Sequence, residues 1–155
     1  MRRNGNGTKL KILIFLIIIC ALVYGIFRIF TSPKFEKNPP QIALENEIYW
    51  NLTSPLKIKI SDDTGIKLVR VNLNDGASTI PLLNEELNVP QTTLELAVQF
   101  PKNLMLNKDK NYKLEVFAND ISSWNFAQGN KSVKTANIII DDKKPVINII
   151  NQSYK

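Results

Sequence analysis

Between Lys11 and Arg28 the chain carries sixteen consecutive uncharged residues, Ile12 to Phe27, behind a basic start of Arg2, Arg3, Lys9 and Lys11. No other feature constrains the fold as strongly, because a run this apolar must be shielded from water. With its apolar shoulders it extends from Leu10 to Phe30, 21 residues. As a helix it is about 31 Å long, close to the ~30 Å hydrocarbon core of a bilayer. Lys11 and Arg28 have stems long enough to carry their charges to the two headgroup layers. Leu10, Lys11, Ile12, Phe27, Arg28 and Phe30 therefore bound a candidate membrane anchor. The excess of Lys and Arg before the run favours a cytoplasmic N-terminus and an exported C-terminal part.

A cleaved signal peptide is the competing expectation. Its small-residue cleavage site is missing, since Thr31-Ser32-Pro33 is a poor match. A lipoprotein would use Cys20, but Ile19 precedes it and the apolar run continues past it. An uncleaved anchor fits best.

The net charge of +6 then changes meaning. Five of the 20 basic residues flank the apolar run, leaving 15 basic against 14 acidic from Lys34 onward. The exported part is nearly neutral and lacks the basic stripe with aromatics that nucleic-acid binding needs. Lys108, Lys110 and Lys113 are interrupted by Asp109 and Glu115, as on a solvated edge. Cys20 is the only cysteine, so no intrachain disulfide can form. Some 100 residues must stabilise themselves through their core.

Residues 31–40, with Ser32-Pro33 and Pro39-Pro40, read as a proline-stiffened stalk. From Gln41 the pattern has period two. Leu56, Ile58 and Ile60 alternate with lysines; Val69, Val71 and Leu73 with Arg70 and Asn72; Leu94 to Phe100 and Tyr112 to Ala118 behave alike. Each is half-buried strand material. Shorter candidates are Ile42–Leu44, Thr79–Leu83 and Val133–Ile140. Breakers fall at Asp62-Asp63-Thr64-Gly65, Asn74-Asp75-Gly76, Asn88-Val89-Pro90, Asn107–Asn111 and Gly129-Asn130. Asp75-Gly76 between two strand runs is a hairpin signal. About seven strands without a disulfide point to a mainly β chain: an N-terminal transmembrane helix, then an Ig-like antiparallel β-sandwich over residues 41–142.

The run Tyr112-Lys113-Leu114-Glu115-Val116-Phe117-Ala118-Asn119-Asp120, followed by Gly129-Asn130-Lys131-Ser132 and by Ile138-Ile139-Ile140-Asp141-Asp142-Lys143-Lys144-Pro145, resembles the end of a bacterial Ig-like repeat. Asp62-Asp63-Thr64-Gly65-Ile66 resembles the turn between two early strands of such repeats. Ile121 to Gln128 stands as an insertion where that family has one or two residues. The whole arrangement of basic tail, anchor, stalk and Ig-like module is similar to the N-terminal half of membrane-anchored M23-type (LytM-like) peptidoglycan metallopeptidases. That resemblance implies a single-pass protein of a bacterial inner membrane with a periplasmic module. It also implies peptidoglycan or other envelope proteins as partners, and a zinc peptidase domain further along.

The chain itself contains no histidine, and its one cysteine lies in the apolar run. Zinc sites of that class need histidine, so no zinc or other cofactor is expected in this chain. Histidine-dependent acid–base and nucleophile chemistry is excluded too. Val146 to Ile150 reads as the first strand of a second module whose partners do not follow, so residues 143–155 are expected to be a linker and a truncated start. The expectation is a spacer and anchor, not a hydrolase.

Other residues invite weighing. Asp62, Asp63, Asp120, Asp141 and Asp142 offer oxygens for calcium, which takes six to eight, but acidic turn residues are common without metal. Glu85 and Glu86 are neighbours and diverge in direction, unlike a glycosidase pair. Trp50 and Trp124 are candidates for stacking on a glycan or a partner, with core packing as the alternative; Trp124 and Phe126 are the candidate partner contact. Tyr112 fits a corner tyrosine. Asn51-Leu52-Thr53 and Asn130-Lys131-Ser132 match the glycosylation triplet, which arises by chance in Asn-rich chains. Three functions follow: the anchor and spacer of a cell-wall peptidase; a complete bitopic envelope interaction module for division or secretion; or an adhesin-like subunit. Basic residues before the anchor argue against a pilin.

Overall fold

The computed structural model describes residues 5–107 and 110–141. The expected linker and second-module strand at 143–155 lie outside the described residues, as do Arg2, Arg3, Lys108, Asp109 and Asp142.

The apolar run forms helix α1, Gly5–Phe30. It begins before the expected Leu10, because extending an existing helix needs no new nucleus, and each added hydrogen bond offsets the poor helix preference of Gly7 and Thr8. None of its apolar span is covered by the rest of the chain. Among the described residues it is the one helix long and apolar enough to cross a membrane. It ends where the Thr31 backbone N–H and hydroxyl both donate to the Phe27 carbonyl, at 3.0 and 2.8 Å. Pro33 then forbids continuation.

Among the described residues six strands follow: β1 Gln41–Ala43, β2 Glu47–Trp50, β3 Leu56–Asn74, β4 Thr79–Val98, β5 Tyr112–Asp120 and β6 Lys131–Ile140. Two of them are far longer than the sequence suggests. A straight strand of 19 residues would span about 63 Å, too long for a module with a radius of gyration near 13 Å. β3 and β4 therefore turn a corner together. Residues 56–61 of β3 pair with β1 on one side and with residues 93–98 of β4 on the other. Residues 66–74 pair with residues 79–91 of β4 and with β5. Both halves of β3 feed one core, with Ile58 and Ile60 meeting Val69, Val71 and Leu73 in a single cluster.

The result is a sandwich. One layer holds β1 and the outer portions of β3 and β4. The other runs β2, β6, β5, second half of β3, first half of β4. This is the immunoglobulin arrangement of strands, and the expected fold class holds. One pairing departs from the antiparallel rule: β2 runs parallel to β6, Glu47 opposite Asn137 and Trp50 opposite Ile140.

The expected breaker at Asp62 to Gly65 is the corner itself, and it does not end the strand. The Asp62 Oδ2 atom accepts from the Thr64 N–H and hydroxyl, both at 3.0 Å, and from the Gly65 N–H at 2.6 Å. Gly65 takes φ +127°, with Pro90 packed across from it. The expected breaker at Asn88-Val89-Pro90 is the matching corner of β4. Pairing resumes at Ile66 with Gln91, so the two corners nest. By contrast, Asp75-Gly76 does close a hairpin. Asp75 Oδ1 accepts from the N–H groups of Ala77 (2.9 Å) and Ser78 (2.7 Å), and Lys110 Nζ reaches Oδ2 at 2.7 Å. The Lys110 ammonium, followed by these N–H donors, holds the Asp75 carboxyl well below the ordinary carboxylate range.

Ile58, Ile60, Ile66, Val69, Val71, Leu73, Leu114 and Val116 are at most 1% exposed. Each such side chain contributes roughly 1.5–3 kcal/mol of burial, which is how the module dispenses with a disulfide. Trp50 belongs to this core, 3% exposed and edge-on to Phe100 at 6.0 Å. That position removes it as a stacking platform. The Tyr112 hydroxyl accepts from the Asn107 N–H at 2.9 Å, a tyrosine corner.

The register also defines two ends. Ile66 lies opposite Asp120, and Asn119 opposite Lys131, at one end. Asn74 opposite Lys113, Tyr112 opposite Ile138 and Trp50 opposite Ile140 mark the other.

Candidate functional site at the stalk junction

The stalk is not a free spacer. Pro33–Phe35 makes one tight 3-10 turn, and the next residues are gripped by the β module. The Lys34 carbonyl accepts from the Ser123 N–H at 2.6 Å. The Glu36 carbonyl accepts from the Ser122 hydroxyl at 2.6 Å and from Asn130 Nδ2 at 2.9 Å. Pro40 is buried. Ser122 and Ser123 belong to the segment between β5 and β6, so that connection, with Asn130 at its end, holds the stalk.

Asp120 organises that grip. It is 1% exposed; its Oδ1 accepts from the N–H groups of Ser122 (2.9 Å) and Asn130 (2.7 Å), and its Oδ2 from Asn130 Nδ2 (2.8 Å). A buried carboxylate is tolerated because donors surround it. Gly129 makes this possible: it sits at φ +77°, and an added Cβ would lie 2.5 Å from the Asp120 carbonyl oxygen. Only glycine fits there.

Glu36, Asp62 and Asp120 each bring a carboxylate oxygen within 4.8 Å of the others. Two of the acids singled out for calcium thus converge, joined by Glu36. Asp63 and Asp141 stand outside the cluster. Asp62 Oδ2 and both Asp120 oxygens already serve N–H or O–H donors of the chain, which makes the cluster a structural joint first. Glu36 is the exception. One of its oxygens accepts from the Asn38 N–H at 2.6 Å, while Oε2 is buried without a hydrogen-bond partner. Loss of hydration, with Asp62, Asp120 and Asp63 nearby, pushes its carboxyl pKa above the ordinary value despite the Asn38 bond.

The candidate partner residues divide. Trp124 is engaged within the chain, with Lys37 Nζ 4.4 Å from its ring centroid and its backbone N–H donating to Ser122 Oγ at 3.1 Å. Phe126 is 99% exposed. The expected loop here is a tight turn, Trp124–Ala127, in which Asn125, Phe126 and Ala127 have φ of 53°, 58° and 62°. Phe30 and Phe35 meet with ring centroids 5.4 Å apart and planes tilted by 49° and, with Trp124 and Phe126, line one apolar depression beside the end of α1.

Elsewhere the candidates resolve simply. Glu85 and Glu86 lie opposite Val69 and Leu68 on the exposed part of β4. Asn51 caps its own turn, its Oδ1 accepting from the N–H groups of Thr53 and Ser54 at 3.0 and 2.8 Å. Asn130 is buried and its amide committed to Glu36 and Asp120, so its triplet is structural. Sequence reasoning missed Glu36, Ser122 and Asn130 as a unit. The available signal was Asp120 followed by Gly129-Asn130, a pair of turn residues aimed back at a strand end.

No protein-family profile matches the chain, and no curated protein matches it. Among solved structures, murine CRIg aligns with 68% of this chain and 100% of that chain, at 12% identity and a TM-score of 0.40.

Proposed function

We propose that this chain is a non-catalytic, single-pass membrane anchor whose Ig-like module holds a partner or further domain at a set distance from the bilayer. The observation that carries this reading is the placement of entry and exit. The stalk enters the module beside Asp120, and β6 delivers Ile140 to the opposite end, about 33 Å along a ten-residue strand. The basic residues before α1 favour a cytoplasmic N-terminus with the module across a bacterial inner membrane. The finer reading is that an M23-type zinc peptidase acting on peptidoglycan is what the module positions. Its support is the arrangement of basic tail, apolar anchor, proline-bearing stalk and Ig-like module described above.

Fractionation with protease accessibility tests the coarser reading. The chain should stay in the carbonate-washed membrane, and trypsin added to spheroplasts should digest the module. Recovery in the soluble cytosol would sink it. Hydrolysis of peptidoglycan by the purified chain would sink the non-catalytic part. Coding sequence beyond Lys155 that lacks H-x3-D and H-x-H motifs would remove the peptidase.

A second reading rests on the first half of β4, which among the described residues pairs only with β3 and leaves its other edge open. An envelope partner could add a strand there. Membrane crosslinking from residue 84 would trap such a partner.

A further inference from the structure

We infer that the Trp124–Ala127 turn is a second membrane contact, seating Phe126 in the headgroup–acyl boundary of the bilayer that α1 enters. The inference rests on α1 being membrane-spanning. Phe126 and Phe30 line the same depression, so Phe126 lies beside the last residue of α1. If Leu10 to Phe30 fills the hydrocarbon core, that position is the interface, where aromatic side chains concentrate. The patch is continuous with the anchor: Phe30 touches Phe35 ring to ring, and Phe35, Trp124 and Phe126 carry the apolar surface onto the β module. Cations flank it. Arg28 is in the last turn of α1, and Lys34 and Lys37 are in the stalk, with Lys37 over the Trp124 ring. That combination suits an anionic headgroup layer over an apolar one.

The turn's own geometry agrees. Three successive non-glycine residues in the left-handed region are rare, and for a bulky phenylalanine unfavourable. They present a 99% exposed aromatic ring away from the module's core. A soluble surface gains nothing from that presentation; a bilayer surface does.

Fluorescence depth measurement on the full chain in anionic vesicles tests this. Cys20, at the midpoint of Leu10 to Phe30, takes an environment-sensitive label in the native chain. Phe126→Cys and Ala77→Cys, each with Cys20→Ser, place the same label on the turn, where the apolar label takes the place of the phenylalanine ring, and on the far hairpin; both sites are exposed. Shallow spin-labelled lipid should quench position 126 at least about twofold more than deep spin-labelled lipid, and Cys20 should show the reverse. Position 77 should respond to neither. Quenching at Cys20 without quenching at 126 overturns the inference and leaves the anchor intact. Equal quenching at 77 and 126 overturns it too, since the module would then lie flat. Absence of quenching at Cys20 overturns the anchor and the inference with it.

Discussion

The Ser122 hydroxyl donates a 2.6 Å hydrogen bond to the backbone carbonyl of Glu36, 86 residues earlier in the chain. This bond and its Asn130 companion turn a proline-bearing segment into part of the β module. The joint between helix and sandwich is thereby a hydrogen-bonded one.

Ser122→Ala removes one of the three short hydrogen bonds that hold the stalk. A net loss of about 1 kcal/mol is expected, raising the open population of the stalk about fivefold. Trypsin should then cut at Lys34 and Lys37 about fivefold faster in the detergent-solubilised chain. Unchanged cleavage would mean that the stalk is held by other contacts.

Glu36 gives the joint a pH dependence of definite sign. Its folded-state pKa is raised above 4.5, chiefly by burial, so the folded chain binds this proton more tightly than the unfolded one. The penalty is absent below the ordinary value and complete above the raised one, so this group's contribution to stability falls as pH rises through that window. Glu36→Gln also supplies an amide donor beside Asp62 and Asp120. The variant should melt a few degrees higher at neutral pH, with the gap closing towards about pH 4. Melting curves whose difference is independent of pH would refute the assignment.

Gly129 and Gly76 both have left-handed backbones, φ +77° and +87°, but different surroundings. At Gly76 an added Cβ meets nothing within 4 Å, so Gly76→Ala should cost only backbone strain, about 1 kcal/mol. At Gly129 the same methyl would collide with Asp120 and Asn119 oxygens, and Gly129→Ala should cost about 3 kcal/mol or more. Denaturant midpoints at unchanged slope measure both. Equal costs would show that the Asp120 nest can relax.

Local features of this molecule were legible in its sequence. The apolar run became α1, Tyr112 to Ala118 alternated as β5, Asp75-Gly76 closed its hairpin and Tyr112 made its corner, because each depends on residues close together in the chain. The corner at Asp62 to Gly65 was legible as a turn but not as a continuous strand, since continuity comes from β4 bending alongside. β2 escaped notice because four residues carry little periodicity and its partner β6 lies some ninety residues away. The stalk junction was illegible for the same reason: Glu36 gains its meaning only from Ser122, Asn130 and Asp120.

The parallel pairing of β2 with β6 has a mechanical consequence. If the module is the tether proposed above, a pull between α1 and the chain beyond Asp141 draws β2 and β6 in opposite directions along their common axis. Their ladder is then loaded in shear, with its bonds sharing the force rather than opening one after another like a zip. A module loaded this way resists stretching best along the line that joins its two ends.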